Sequence, residues 1–177
     1  MRSSKKLTVS AISVALGVVF MALGAVFSSL DLTVVCLASL LVTFVYIEVG
    51  APYTYLVWIC TTLLAALFYP ASLMWSAYLL VFGIWPILKG AVEKLRHALW
   101  LLVKLAYGTL SLSLLFVIEA FVLGIPMESL FGLPMEVSAV ILVLVSVIAF
   151  MFYDVFLTVG VRTYYQKIRP KIKNLLK

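Results

Sequence analysis

The chain has 177 residues, of which 66% are apolar or aromatic and only 11% are charged, and its formal net charge is +6. A soluble domain is typically about 45–50% apolar and about 25% charged, and a soluble globule of this length could not bury so much apolar surface. The composition therefore excludes a water-soluble protein and indicates an integral membrane protein whose polar segments are too short to form a catalytic domain.

Six apolar segments are long enough to cross a membrane, because a hydrocarbon core of about 30 Å takes about 20 helical residues. We predict an all-α fold, a single domain over residues 1–177, with spans at 7–30, 32–49, 53–69, 72–88, 98–123 and 137–161. Pro52 and Pro70 mark breaks, since proline lacks the amide that a continuing helix needs. Residues 162–177 form a basic tail that we expect to lie on anionic lipid.

The charged residues predict the orientation of these spans. Six spans put both termini on one side, together with twelve basic residues: Arg2, Lys5, Lys6, Lys89, Lys94, Arg96, Arg162, Lys167, Arg169, Lys171, Lys173 and Lys177. The opposite connections hold Asp31, Glu128 and Glu136 and neither lysine nor arginine. The positive-inside rule therefore predicts that both termini are cytoplasmic, where anionic lipids attract the basic segments. We expect no nucleic-acid partner, because the sequence predicts no folded basic surface.

The first span contains two stripes of small side chains. Ala11 and Ala15 begin one stripe, and Ser13, Gly17 and Gly24 belong to a second that is rotated by about 200° on an α-helix. Small side chains at four-residue spacing let helix backbones approach closely in lipid. Either both stripes pack inside the protein, or one packs inside while the other meets a partner subunit. Two opposed stripes on one helix favour the second interpretation.

Ionisable residues inside spans need compensation because a charge in the bilayer is costly. Lys104 and Asp154 both lie roughly 10–12 Å from the cytoplasmic ends of their spans, at about 1.5 Å per helical residue. We therefore predict a structural ion pair between them. Glu48 and Lys89, near the cytoplasmic ends of their spans, are predicted to pair in the same way.

Glu119 lies near the outer end of the fifth span, where no basic residue has the same depth. Its carboxylate either reaches outer water, hydrogen-bonds a hydroxyl group, or contacts a ligand together with Trp75 and Tyr78. Aromatic residues at this depth are often interfacial anchors, yet aromatic pockets with a few polar groups are also typical of small-molecule sites. The outer connection 124–136 is either an interfacial turn or a lid over such a site.

The remaining reactive residues do not predict an enzyme, a cofactor or a metal site. Cys36 and Cys60 lie within spans without cysteine or histidine neighbours at metal-binding spacing, and His97, the only histidine, lies at the mouth of the fifth span. No glycine-rich phosphate loop ending in Lys-Ser or Lys-Thr occurs. Any ATP-driven work must therefore use an ATPase on another chain.

Three segments carry a resemblance to a known family. They are Lys5-Lys6-Leu7-Thr8 ahead of Ala11-x-x-x-Ala15, Tyr78 with Phe82-Gly83-x-x-Pro86-Ile87-Leu88-Lys89 and Glu93, and Tyr153-Asp154 ahead of the basic tail. These segments resemble membrane proteins of Gram-positive bacteria that look like S components, the substrate-binding subunits of energy-coupling factor (ECF) transporters. The resemblance covers nearly the whole chain in size, span count and cytoplasmic termini.

The resemblance implies a subunit in the bacterial cell membrane that binds a vitamin or similar micronutrient in the outer halves of its later helices. It implies association, through the first helix, with a transmembrane coupling subunit driven by two cytoplasmic ATPase subunits. Ala11 and Ala15 match the coupling motif by position. An alternative is a non-transporting membrane scaffold that resembles the rod-shape-determining proteins of cell-wall elongation; a small channel or lipid-handling protein is a further possibility.

Overall fold

The computed structural model describes residues 3–94, 96–122, 124 and 134–172, which form helices and no strand. The helices are α1 (Ser3–Val26), α2 (Asp31–Glu48), α3 (Ala51–Phe68), α4 (Leu73–Ala77), α5 (Trp85–Val92), α6 (His97–Phe121), α7 (Met135–Thr163) and α8 (Arg169–Ile172). A short 3₁₀ turn at Ser28–Leu30 precedes α2, and π-helical turns at Tyr78–Phe82 and Tyr164–Ile168 follow α4 and α7.

Six stretches of this part of the chain are long and apolar enough to cross a membrane, which confirms the prediction of an all-α, multi-pass membrane protein. They are Ser3–Val26, Asp31–Glu48, Ala51–Phe68, Leu73–Val92, Leu99–Phe121 and Glu136–Lys171. The fourth extends four residues beyond its predicted end at residue 88. Residues 162–172, which the sequence assigns to a separate tail, continue the last helix through the π turn Tyr164–Ile168 and α8.

The fourth span is not a regular α-helix, because a π turn at Tyr78–Phe82 interrupts it between α4 and α5. Pro86 cannot donate to the carbonyl of Phe82, so that oxygen accepts instead from the hydroxyl of Tyr153 at 2.9 Å. The hydroxyl of Tyr107 likewise donates to the carbonyl of Leu80. Between α4 and α5 the backbone widens into the π turn, a feature often found at functional sites.

The helices pack around two apolar cores that meet at the fourth span. Met21, Val42 and Val57 of α1, α2 and α3 belong to the first core, and Leu112 and Phe150 of α6 and α7 belong to the second. The fourth span contributes to both cores, with Tyr78 in the first and Val81 and Trp85 in the second. It therefore joins the two halves of the bundle.

Contacts at the ends of the helices place both described ends of the chain at the same end of the bundle. Ser3 Oγ lies 3.4 Å from Tyr53 Oη, at the start of α3. Arg169 Nε lies 2.8 Å from Glu48 Oε1, at the end of α2. We call this end the basic end, and the opposite end, at the start of α2 and of α7, the acidic end.

Candidate functional site

Three ionisable side chains from three different helices meet in the interior of the bundle. Lys89 of α5, Lys104 of α6 and Asp154 of α7 are 6%, 2% and 5% exposed. Groups of this kind are rarely buried so completely unless they are paired. We call these three residues the buried charge cluster.

Asp154 is the centre of the buried charge cluster. Its Oδ1 accepts hydrogen bonds from Trp85 Nε1, at 2.9 Å, and from the ammonium group of Lys89. Its Oδ2 accepts from Lys104 Nζ at 2.5 Å, and its backbone carbonyl accepts from Lys89 Nζ at 3.0 Å. Both carboxylate oxygens are thus satisfied by charged or indole donors, which is the condition for burying a carboxylate at tolerable cost.

Each lysine has a further partner next to the cluster. Lys104 Nζ lies 3.9 Å from the centre of the Trp100 ring, a cation–π distance. Lys89 Nζ lies 3.0 Å from Glu93 Oε1, and the Glu93 side chain is 45% exposed. The three buried groups therefore carry two positive charges and one negative charge. The carboxylate of Glu93, which is half-exposed to solvent, makes the group of four neutral.

Helical spacing explains how the cluster is assembled. Residues four positions apart lie on the same face of a helix. Trp85, Lys89 and Glu93 follow this spacing along and just beyond α5, and Trp100 and Lys104 follow it along α6. One face of α5 therefore places Trp85 and Lys89 next to Asp154, and one face of α6 places Lys104 next to it, with Trp100 beside that lysine.

Aromatic rings surround the cluster on the side of the second core. The Trp85 ring stacks on Tyr107 with centroids 5.0 Å apart and meets the edge of Phe150 at 4.9 Å. Trp85 itself is fully buried. Such rings exclude water, and the lower local polarity strengthens the attraction between the charges.

A cavity of about 190 Å³ lies beside the cluster, toward the basic end, between α2, α5 and α7. Lys89 and Glu93, whose charged groups lie 3.0 Å apart, both form part of its wall. The other lining residues are Thr43, Tyr46 and Ile47 of α2, Pro86 and Gly90 of α5, and Leu157, Thr158, Val161 and Tyr165 in or after α7. The site thus combines an apolar wall with one buried cation.

The structure brings Lys104 and Asp154 together but not Glu48 and Lys89. Glu48 contacts Arg169, since the chain after α7 remains helical and returns this arginine to the end of α2. Lys89 instead faces Asp154, because the fourth span remains helical past residue 88. The expected Glu48–Lys89 pair is therefore wrong. Trp85, which binds Asp154, and Glu93, which binds Lys89, each lie four residues from Lys89, so helical spacing could have indicated both as members of the site.

Two of the three proposed ligand residues near the acidic end, Trp75 and Tyr78, lie at the first core. Tyr78 is buried in the first core, and Trp75 packs against that core and donates to the carbonyl of Pro70 at 3.1 Å. Glu119 is half-buried on α6. Among the described residues, no hydrogen bond joins Glu119 to either aromatic side chain. Most of the connection 124–136, with the expected lid and Glu128, lies outside the described residues, so this ligand site stays a prediction.

The two stripes of α1 have different environments. Ser13, Gly17 and Gly24 are buried, and a Cβ atom at Gly17 would lie 2.9 Å from a Thr61 side-chain atom. Ala11 and Ala15 are exposed on the outside of the bundle. The Gly17 stripe therefore packs against other helices of the chain, whereas Ala11 and Ala15 face outward.

The two cysteines differ in their exposure. Cys36 is half-buried and Cys60 is exposed, and both are free thiols. Within residues 3–94, 96–122, 124 and 134–172, no three histidine, cysteine, aspartate or glutamate side chains are grouped so as to hold a metal ion.

No family model matches the chain, and comparison with curated proteins and with solved structures gives no match either.

Proposed function

We propose that the chain is the substrate-binding membrane subunit of an ECF-type transporter for a vitamin-like micronutrient. In this proposal the protein spans the bacterial cell membrane with its basic end in the cytoplasm. Transport is energised by a separate transmembrane coupling subunit and two ATPase subunits. The family assignment comes from the resemblance of the sequence motifs to S components.

The exposed stripe formed by Ala11 and Ala15 is the observation that carries the proposal. The bundle uses the opposite stripe of α1 for its own packing, so the alanine stripe is not required for the fold. Large aliphatic side chains would face lipid equally well, whereas small ones allow a second helix to approach closely. We infer that this stripe is the contact with the coupling subunit.

The buried charge cluster supports the same function in a different way. The resemblance implies that an S component topples in the membrane when it carries its ligand across. Hydrogen bonds from α5 and α6 to Asp154 of α7 tie three spans to one carboxylate. Such cross-links favour a bundle that moves as a unit.

Tryptophan substitutions on α1 test the proposal. Ala11→Trp or Ala15→Trp should abolish co-purification with the coupling subunit while the protein keeps its helical content and thermal stability, because both positions lie on the outer surface. Ala149→Trp is the matched control, since Ala149 is an exposed alanine on α7. Normal assembly of both α1 variants would show that the stripe does not contact the coupling subunit.

The same purification separates the transporter from the scaffold alternative. A transporter subunit should be recovered with a polytopic coupling protein and two ATPases. Recovery with enzymes of cell-wall elongation instead would favour the non-transporting scaffold and would contradict the assignment to ECF transporters.

A further inference from the structure

We infer that the cavity at the basic end binds a small carboxylic acid, whose carboxylate replaces Glu93 on the ammonium group of Lys89. The site is at the opposite end of the bundle from the micronutrient site proposed above, and it does not depend on that proposal. Three observations carry the inference: the charge balance of the cluster, the hydrogen bonds of Lys89 and the shape of the cavity.

The charge balance leaves a position for one exchangeable anion. Lys89 and Lys104 hold two positive charges in the interior, and among the described residues Asp154 supplies the only negative charge that is equally buried. The second negative charge belongs to Glu93, whose side chain is 45% exposed. An anion that displaces Glu93 keeps these charges balanced, whereas a neutral group leaves one positive charge in excess, so the site favours an anion.

The hydrogen bonds of Lys89 show which contact can be exchanged. An ammonium group has three N–H donors. Two of them are directed to the backbone carbonyl and the Oδ1 atom of Asp154, inside the bundle. The third partner is Glu93 Oε1 at 3.0 Å. Glu93 can turn into solvent without disturbing the two inner contacts, so a ligand carboxylate can take over the third donor.

The cavity defines the rest of the ligand. Its walls beside Lys89 are largely apolar, with Ile47, Pro86, Leu157 and Val161 among the lining residues. Its volume is about 190 Å³, and an apolar cavity of about 150 Å³ is large enough to hold benzene. A single ring or a branched aliphatic group of similar size, with one carboxylate, therefore matches the space and the charge.

Binding of benzoate to the full-length protein tests the inference, with benzamide as the uncharged analogue of the same shape. The protein is reconstituted in phosphatidylcholine nanodiscs, and binding is measured by calorimetry. We expect benzoate to bind at least tenfold more tightly than benzamide. In Glu93→Gln the benzoate affinity should rise at least threefold, because the internal competitor for Lys89 has lost its charge.

Two further variants complete the experiment. Lys89→Met should weaken benzoate binding at least tenfold, and Glu136→Gln, which changes an exposed carboxylate at the acidic end, should leave it unchanged. Because Glu93 is half-exposed, its variant should fold even if Lys89→Met does not. Equal affinities for benzoate and benzamide, or a Glu93→Gln variant that binds benzoate no more tightly than the wild type, would overturn the inference.

Discussion

Replacing Asp154 with asparagine tests how the buried charges hold the bundle together. The change preserves the size of the side chain but removes the only anion among the three buried groups. It also places an amide N–H₂ group, a donor, against ammonium groups that are themselves donors. Lys89 and Lys104 would then both remain buried without the carboxylate that now accepts from them.

The magnitude follows from the number of stranded charges. Breaking a buried ion pair by removing one partner costs about 3–5 kcal/mol. Asp154→Asn removes the carboxylate from both lysines at once and leaves Lys89 only the half-exposed Glu93, so its cost should lie near the upper end of this range, about 5 kcal/mol. Lys104→Met leaves the pair of Lys89 and Asp154 intact and should cost less, about 1–2 kcal/mol, including the lost cation–π contact with Trp100.

Unfolding free energies from detergent titrations, followed by circular dichroism, measure these costs. The double variant Lys104→Met/Asp154→Asn should be more stable than Asp154→Asn alone, because it removes one of the stranded cations. Glu136→Gln, an exposed change on the same helix as Asp154, should stay within about 0.5 kcal/mol of the wild type. Equal costs for Lys104→Met and Asp154→Asn that add in the double variant would refute the shared cluster.

Three other predictions concern packing, topology and the ligand. Gly24→Ala should destabilise the protein by about 1–3 kcal/mol, because the new Cβ atom would lie 2.3 Å from the nearest side-chain atom. Gly160→Ala should be tolerated in the same unfolding assay, because its nearest neighbouring atom is 3.4 Å away. In a cysteine-free background, Glu136→Cys should react with an impermeant thiol reagent from outside and Lys94→Cys should not, and reversed labelling would contradict the orientation. Glu119→Gln should weaken binding of the co-purified ligand at least tenfold, about 1.4 kcal/mol, and an affinity equal to that of Glu136→Gln would contradict a role for Glu119.

The spans and the depth of the buried charges were predictable from the sequence. Apolar runs separated by prolines define the spans because the thickness of the bilayer sets their length. Lys104 and Asp154 lie at similar depths because each helical residue rises by about 1.5 Å. Counting residues from the same face of the membrane was therefore enough to place these two side chains next to each other.

The third member of the cluster was not predictable in this way. Lys89 reaches Asp154 only because the fourth span changes to a π turn and then remains helical to Val92. That turn is associated with hydroxyl groups of Tyr107 and Tyr153, which come from two other spans. Contacts of this kind depend on the assembled bundle, and no local pattern in the fourth span encodes them.

Helical spacing also left the orientation of α1 undecided. It identified both stripes of small residues but not which one faces inward. The buried stripe contains Gly17 and Gly24, where even a methyl group would meet neighbouring side chains at less than 3 Å. Glycine permits a closer approach than alanine, which explains why the bundle packs on this stripe and leaves Ala11 and Ala15 outside.

Site-specific photo-cross-linking from α1 in native membranes tests the central proposal most directly. A photoreactive amino acid replaces Ala15, or Ala149 as the control, and cross-linked proteins are identified by mass spectrometry. The proposal predicts that Ala15 cross-links to a polytopic coupling protein that is recovered with two ATPase subunits, and that Ala149 does not. Absence of this product at Ala15, or cross-linking to cell-wall elongation proteins in its place, would contradict the assignment as a transporter subunit.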